Sequence, residues 1–431
     1  MGALTGALTG VPPAPAATPR QPLAVRQWLA YGVLGLPLAM AALPVYVHVP
    51  QLYAGAGIDL ALLGALLLAV RLLDAGIDPL LGRWSDRAAR RQGLIVVALP
   101  FLALGMLALL HPPAAGSVPW LVGALLVTYF GFSLASIAYQ AWGAELGRDA
   151  GERTLLTASR EGFGLLGVVL ASLLPLLLAG TVSAGLSRLA WLFLPLLAVA
   201  ALLTLVGAPP AAARPPAASA PPALRQALGD PRFVRLLAVF VANGIAAALP
   251  ATLVLFFVAD VLRAEAFAGA FLALYFVAGV GGLPLWVRLA RRLGRVRAWL
   301  LAMAVAGAAF VFAATLGAGD VWAFAAVCAV TGLALGADLT LPAALLADIA
   351  GSRTAKAGAG AYFGWWNLVA KLNLALAAGL ALPLLAALGY RPGEGGGLFA
   401  LALVYGLLPL AFKLLAGVLA WRWRQQLEEA R

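Results

Sequence analysis

Residues 71–91 read RLLDAGIDPLLGRWSDRAARR, and they continue an apolar run that begins at residue 60. Arg71, Asp74 and Asp78 stand at i, i+3 and i+7, a spacing that puts all three on one face of a helix. An ionisable group inside a bilayer costs about 2.5–3.5 kcal/mol on insertion scales. Three on one face therefore point into a bundle or a wet cavity, never at lipid. The stretch predicts a membrane helix with one charged, inward-facing side, followed at residue 82 by a short basic loop.

Outward from this segment the same pattern recurs. Apolar runs cover 28–49, 60–81, 94–111, 119–143, 161–182, 188–208, 234–260, 265–287, 298–317, 321–347, 360–388 and 397–420. Most approach the ~20 residues that a helix needs to cross a hydrocarbon core of about 30 Å. Composition agrees: 63% of the 431 residues are hydrophobic and 11% charged, against about 25% charged in a soluble domain. Residues 1–27 are rich in Ala, Pro, Gly and Thr and read as a disordered cytoplasmic tail; no charged leader with a cleavage site is evident. The longest gap, 209–231, contains APPAAARPPAASAPPA, a semi-extended linker by composition. It divides the chain into six segments over 28–208 and six over 232–420, with a cytoplasmic tail at 421–431.

The net charge of +12 is a topology signal, because the basic residues fall between apolar runs and not on one aromatic-laced module. Of 29 Lys and Arg, 23 lie at the termini or at even-numbered connections. Three (Arg188, Arg263, Arg391) lie near odd-numbered ones, and three (Arg71, Lys371, Lys413) lie within segments. Positive residues stay inside, so both termini are expected in the cytoplasm, with an even helix count, in a bacterial-type inner membrane. A weak repeat pairs GRWSDRAARRQG with VRLARRLGRVRA at the equivalent connection of the second half. One cysteine, Cys328, allows no disulfide framework. His48 and His111 read as interfacial. No nucleophile triad, phosphate loop or dinucleotide fingerprint is present, so an enzyme is not expected, nor a nucleic-acid partner or a resident cofactor.

Two carboxylates one turn apart share a hard cation through oxygen ligands or exchange a proton. Asp74 and Asp78 are thus the candidate coupling site for Na+ or H+, with Arg71 holding the pair ionised when the cation is absent. Lys371, deep in the eleventh segment, and Asp338, in the tenth, are candidates for the substrate cavity, together with Tyr139, Gln140, Trp366 and Asn367. Asp348 ends the tenth segment and reads as a gate or cap. Lys413 reads as a snorkelling residue of the twelfth.

GRWSDRAARR, residues 82–91, resembles the signature loop of the major facilitator superfamily. That resemblance implies an all-α membrane protein of twelve transmembrane helices in two six-helix halves. It also implies a close helix contact at Gly82 and a cytoplasmic gate at Asp86, Arg87, Arg90 and Arg91. RLLDAGIDPLLGRWSD further resembles the glycoside–pentoside–hexuronide:cation symporters, the melibiose permease-like family, in which the matching acids bind the coupling cation. YQAWGAELGRDAGERTLLTASR resembles that family's fourth-to-fifth connection and adds Glu145, Glu152, Arg153 and Arg160 to the gate. GADLTLPAALLADI and YFGWWNLVAKLNLALAAG resemble its tenth and eleventh helices, which places Lys371 between the cation and sugar sites. The chain departs from the family at Ser136, where a third cation-site acid is expected, and in lacking an acid on the first segment. The resemblance implies a symporter of a small sugar-like solute that works by alternating access, and a monomer is expected. A cation-independent facilitator or lysolipid flippase on the same fold is the alternative.

Overall fold

The computed structural model describes residues 22–58, 60–113, 117–179, 182–210, 225–352, 354–390 and 396–428. Most of the expected N-terminal tail, the linker over 211–224, Arg391 and the last three residues lie outside that set. Among the described residues there is helix and loop, and no strand.

The first segment is broken. Helices α1 (Val25–Val33), α2 (Gly35–Leu43) and α3 (Val49–Gly55) are joined by a π turn at Pro44–His48. Pro44 has no N–H to donate, so the i→i−4 ladder fails there and widens by one residue. The next helices are unbroken: α4 (Leu60–Arg87), α5 (Arg91–Leu109), α6 (Val118–Leu146), α7 (Ala150–Leu178) and α8 (Val182–Gly207). A short turn, α9 (Arg225–Leu228), leads into α10 (Pro231–Phe256), which also ends in a π turn, Phe257–Val261. Then follow α11 (Ala268–Leu293), α12 (Arg295–Ala313), α13 (Val321–Gly351), α14 (Ala359–Ala387), α15 (Leu398–Arg422) and the terminal turn α16 (Arg424–Glu428).

Among the described residues, nine helices are long and apolar enough to cross a membrane; the other three expected segments, in α1–α3, α4 and α14, are helical as well. At 1.5 Å per residue, the 31 residues of α13 extend about 46 Å, longer than the hydrocarbon core. The long helices therefore tilt or project beyond the membrane, which lets their ends carry polar contacts. Large apolar side chains such as Leu104, Leu202, Val206 and Trp322 are exposed along the outer surface. Lipid takes the place of a packed neighbour there.

Local chemistry starts several helices. Asp149 accepts from the Glu152 amide at 2.9 Å and Asp230 from the Arg232 amide at 3.0 Å, capping α7 and α10. The weak sequence repeat has a structural counterpart. Arg91 opens α5, Arg295 opens α12, and both are buried. Arg91 reaches Glu145 near the end of α6, and Arg295 reaches Asp348 near the end of α13.

The helices before residue 211 meet those after residue 224 along α4–α14, α7–α13 and α7–α11. The α4–α14 crossing is very close: a Cβ added to Gly82 would lie 2.1 Å from the Gly360 carbonyl oxygen. Glycine at both positions is what lets the backbones touch.

Candidate transport site and latch

Three side chains from three helices meet inside the bundle. Lys371 of α14 donates to Asp74 Oδ2 of α4 at 2.5 Å, and its Nζ lies 2.7 Å from Asp78 Oδ2. Ser133 of α6 donates to Asp74 Oδ1 at 2.9 Å and accepts from Lys371 at 3.0 Å. Asp78 is wholly buried, and its Oδ1 has no hydrogen-bond partner among the described residues. Two buried carboxylates thus share one ammonium. Buried charge is tolerated when paired, and Lys371 is the cation seen to touch both acids, with Arg71 one turn from Asp74 on α4.

The pairing differs from the sequence reading in two respects. Arg71 was expected to hold the acids ionised; the cation that touches both is Lys371, and Arg71 sits half-buried a turn earlier on α4. Ser136 was aligned with the family's third acid, but the α6 side chain that reaches the pair is Ser133, one turn before it. Ser133 carried no sequence signal, since a serine in an apolar run is unremarkable without its neighbours.

The polar candidates around the cluster divide. Gln140 and Asn367 are half-buried and make no side-chain hydrogen bond among the described residues. Trp366 stacks on Phe240 with ring centroids 3.5 Å apart. Tyr139, expected on a cavity wall, is instead 1% exposed. Its hydroxyl donates to the Tyr31 carbonyl, while Tyr31 donates to the Tyr139 carbonyl at 3.0 Å, which pins α1 to α6.

Asp338 belongs to a second buried cluster. Its Oδ1 accepts from Asn243 (3.0 Å) and Trp299 (2.8 Å), and its Oδ2 from Lys413 (2.9 Å). Lys413 also donates to Asn243 Oδ1 at 3.0 Å. Lys413 does not snorkel; at 4% exposure it is buried opposite its carboxylate. This network is charge-neutral and ties α10, α12, α13 and α15 together. Removing one partner of a buried pair costs about 3–5 kcal/mol, whereas replacing both with apolar groups is often neutral. Lys413→Met alone is therefore expected to lower thermal stability in detergent markedly, and Asp338→Leu added to it to restore most of the loss. Unchanged stability in Lys413→Met would return Asp338 to the list of ligand-binding groups.

At the loop end of the bundle, two latches join the helices on either side of the linker. Asp86 accepts from the Gly360 and Ala361 amides at 2.7 and 2.8 Å, so a residue of α4 caps α14. Arg91 holds that carboxylate in place: its Nη2 is 2.8 Å from both Asp86 and Glu145, and its Nη1 donates to Ser85 at 2.5 Å. The second latch is Arg153 of α7 against Asp348 of α13 at 2.7 Å, with Arg295 on the other carboxylate oxygen. Arg87 and Arg90, expected in the gate, are exposed and make no ion pair among the described residues. Their side chains leave the helix end toward solvent. Arg160 pairs with its neighbour Glu161 at 2.5 Å, ten residues into α7, and joins neither latch. Glu152 binds Arg148 at 2.7 Å and accepts from the Leu23 amide, an anchor for the start of the described chain.

A helical membrane bundle with an internal ionic cluster and latches between two sets of helices defines a membrane transporter. The chain belongs to the MFS/sugar transport protein family, whose model matches residues 28–425. No curated protein sequence matches it. Among solved structures it is similar to a bacterial homologue of the iron transporter ferroportin in an outward-facing state. Identity is 18%, coverage 94% of this chain and 100% of that one, and the TM-score 0.67. It is also similar to the E. coli fucose:proton symporter FucP (13%, 92% and 98%, TM-score 0.68). A third is the human organic anion transporter MFSD10 (16%, 92% and 99%, TM-score 0.67). At these identities the likeness shows the major facilitator fold.

Proposed function

We propose that the protein is a cation- or proton-coupled symporter of a small, polar, sugar-like solute. The observation that carries this reading is the sharing of one ammonium, Lys371, by two buried carboxylates, Asp74 and Asp78. On this reading Na+ or H+ joins Lys371 at the pair, where the carboxylate oxygens together with the Ser133 hydroxyl are hard ligands suited to either. The unbonded amides of Gln140 and Asn367 are hydrogen-bonding groups for a hydroxylated solute. Lys371 and Asn367 lie one turn apart on α14, so the coupling ion and the solute act on the same helix.

Alternating access follows from the arrangement of the contacts. Transporters of this plan rock one set of helices against the other around a central site. The latches hold the loop end closed, and the basic loops support a cytoplasmic side for that end. Opening it requires Asp86 to leave α14 and Arg153 to leave Asp348. A cation at the acid pair competes with Lys371 for the same oxygens and so acts directly on the α4–α14 contact. No covalent step is assigned to any residue.

The test is uptake into proteoliposomes with an imposed Na+ gradient, with an imposed pH gradient, and with neither, over a panel of sugars and glycosides. Accumulation above the outside concentration under one gradient only is expected. Equal uptake under all three conditions would favour the cation-independent facilitator.

A further inference from the structure

Beside the Arg153–Asp348–Arg295 latch, the ends of α7, α11, α12 and α16 line an open cavity of about 970 Å³. Four arginines line it, Arg291, Arg292, Arg295 and Arg297, against a single carboxylate, Glu428. Two of these five charges are already engaged. Arg295 is bound to Asp348 and to the Ala344 carbonyl (3.1 Å), and Glu428 accepts from the Val296 amide at 2.8 Å. Arg291, Arg292 and Arg297 are exposed and have no carboxylate partner among the described residues.

A preference for positive charge inside accounts for arginines in this loop, but it does not require them to converge on one cavity. Three guanidinium groups around a shared space repel one another. An anion placed among them turns that repulsion into attraction. Guanidinium groups bind phosphate bidentately and are only weakly hydrated. Basic pockets between membrane helices at this level suit phosphate-bearing head groups. On α7 the cavity is lined by Ala150, Gly151 and Thr154, and a Cβ added to Gly151 would lie 3.2 Å from Asp149 Oδ1.

We propose that this cavity binds a phosphate-bearing anion, either the head group of an anionic lipid or free phosphate, held by the arginines of α11 and α12. The site stands apart from Asp74, Asp78 and Lys371 and does not depend on the symport reading.

Two variants test it on the full-length protein. Arg291→Ala/Arg292→Ala/Arg297→Ala removes the cations. Gly151→Glu keeps every arginine, and so the insertion signal, but puts a carboxylate into the cavity. Each is checked for a cooperative melting transition, and because they perturb different walls, one folded variant decides. Native mass spectrometry after incubation with equal parts phosphatidylglycerol and phosphatidylcholine reads the lipid arm. Melting in inorganic phosphate against chloride at matched ionic strength reads the free-anion arm. The parent is expected to retain phosphatidylglycerol about tenfold over phosphatidylcholine, a factor in keeping with the loss of one charge-assisted pair. The variants are expected to lose that preference. Stabilisation by phosphate without lipid retention, absent from the variants, assigns the site to a soluble anion. The proposal falls if the parent shows neither effect, or if a folded variant shows them undiminished.

Discussion

Asp74→Asn is expected to abolish gradient-driven accumulation while leaving downhill exchange. In the parent, Asp74 and Asp78 share Lys371, and on the proposed reading the pair takes one further positive charge. Asparagine keeps the size and an oxygen for Ser133, but it leaves Asp78 and Lys371 as a balanced one-to-one pair. No second carboxylate remains for a cation or proton to join. A ligand shifts a conformational equilibrium only by its differential affinity for the two states, and here that difference vanishes. Solute in proteoliposomes should fall from a many-fold excess to about the outside concentration, while counterflow of preloaded solute persists. If the variant concentrates solute as well as its parent, Asp74 is structural and the facilitator reading leads.

Asp86→Ala is expected to open the loop end. The substitution removes two hydrogen bonds from the α14 amides to a charged acceptor and frees Arg91 from one partner. Hydrogen bonds to charged groups are worth about 1.5–3 kcal/mol each. Losing two therefore shifts the latched population on the order of 100-fold or more. A cysteine introduced at Ala361, buried beneath the latch, should react with a membrane-impermeant maleimide far faster in the Asp86→Ala background. Solute affinity should stay within about threefold, since the latch is remote from the ionic cluster. Unchanged labelling would mean that the Arg153–Asp348 latch and the Gly82–Gly360 contact suffice to close this end.

The sequence was most informative where one helix carried its own evidence. Spacing alone put Asp74 and Asp78 on a common face, and the loop motif brought Asp86 and Arg91 into view. What it could not show was which helix each face meets. Lys371 and Asp74 are separated by 297 positions, and no periodicity links them, so spacing favoured the nearest cation, Arg71, and only the family resemblance set Lys371 beside the cation site. The same limit made Lys413 look like a snorkelling residue until Asp338 appeared opposite it. Tyr139 looked like a cavity residue for a related reason, because amphipathic aromatics serve linings and buried pins equally well. Asp348 stood out in the sequence only as an acid at a helix end. Its two arginine partners lie on α7 and α12, and only the packing of those helices reveals them.

The single lysine between two acids also has an electrical consequence. On the proposed reading, the unloaded cluster carries one negative charge and the loaded cluster none. The return of the empty carrier, and not the loaded passage, is then the step that moves charge through the bilayer. A neutral solute would be accompanied by one positive charge per turnover, and the process would be electrogenic. A potential of 100 mV supplies about 2.3 kcal/mol per elementary charge, enough for nearly 50-fold accumulation without any chemical ion gradient. Solid-supported membrane recordings should therefore register a current on solute addition, and the number of charges moved would report how many of the two carboxylates are loaded in each cycle.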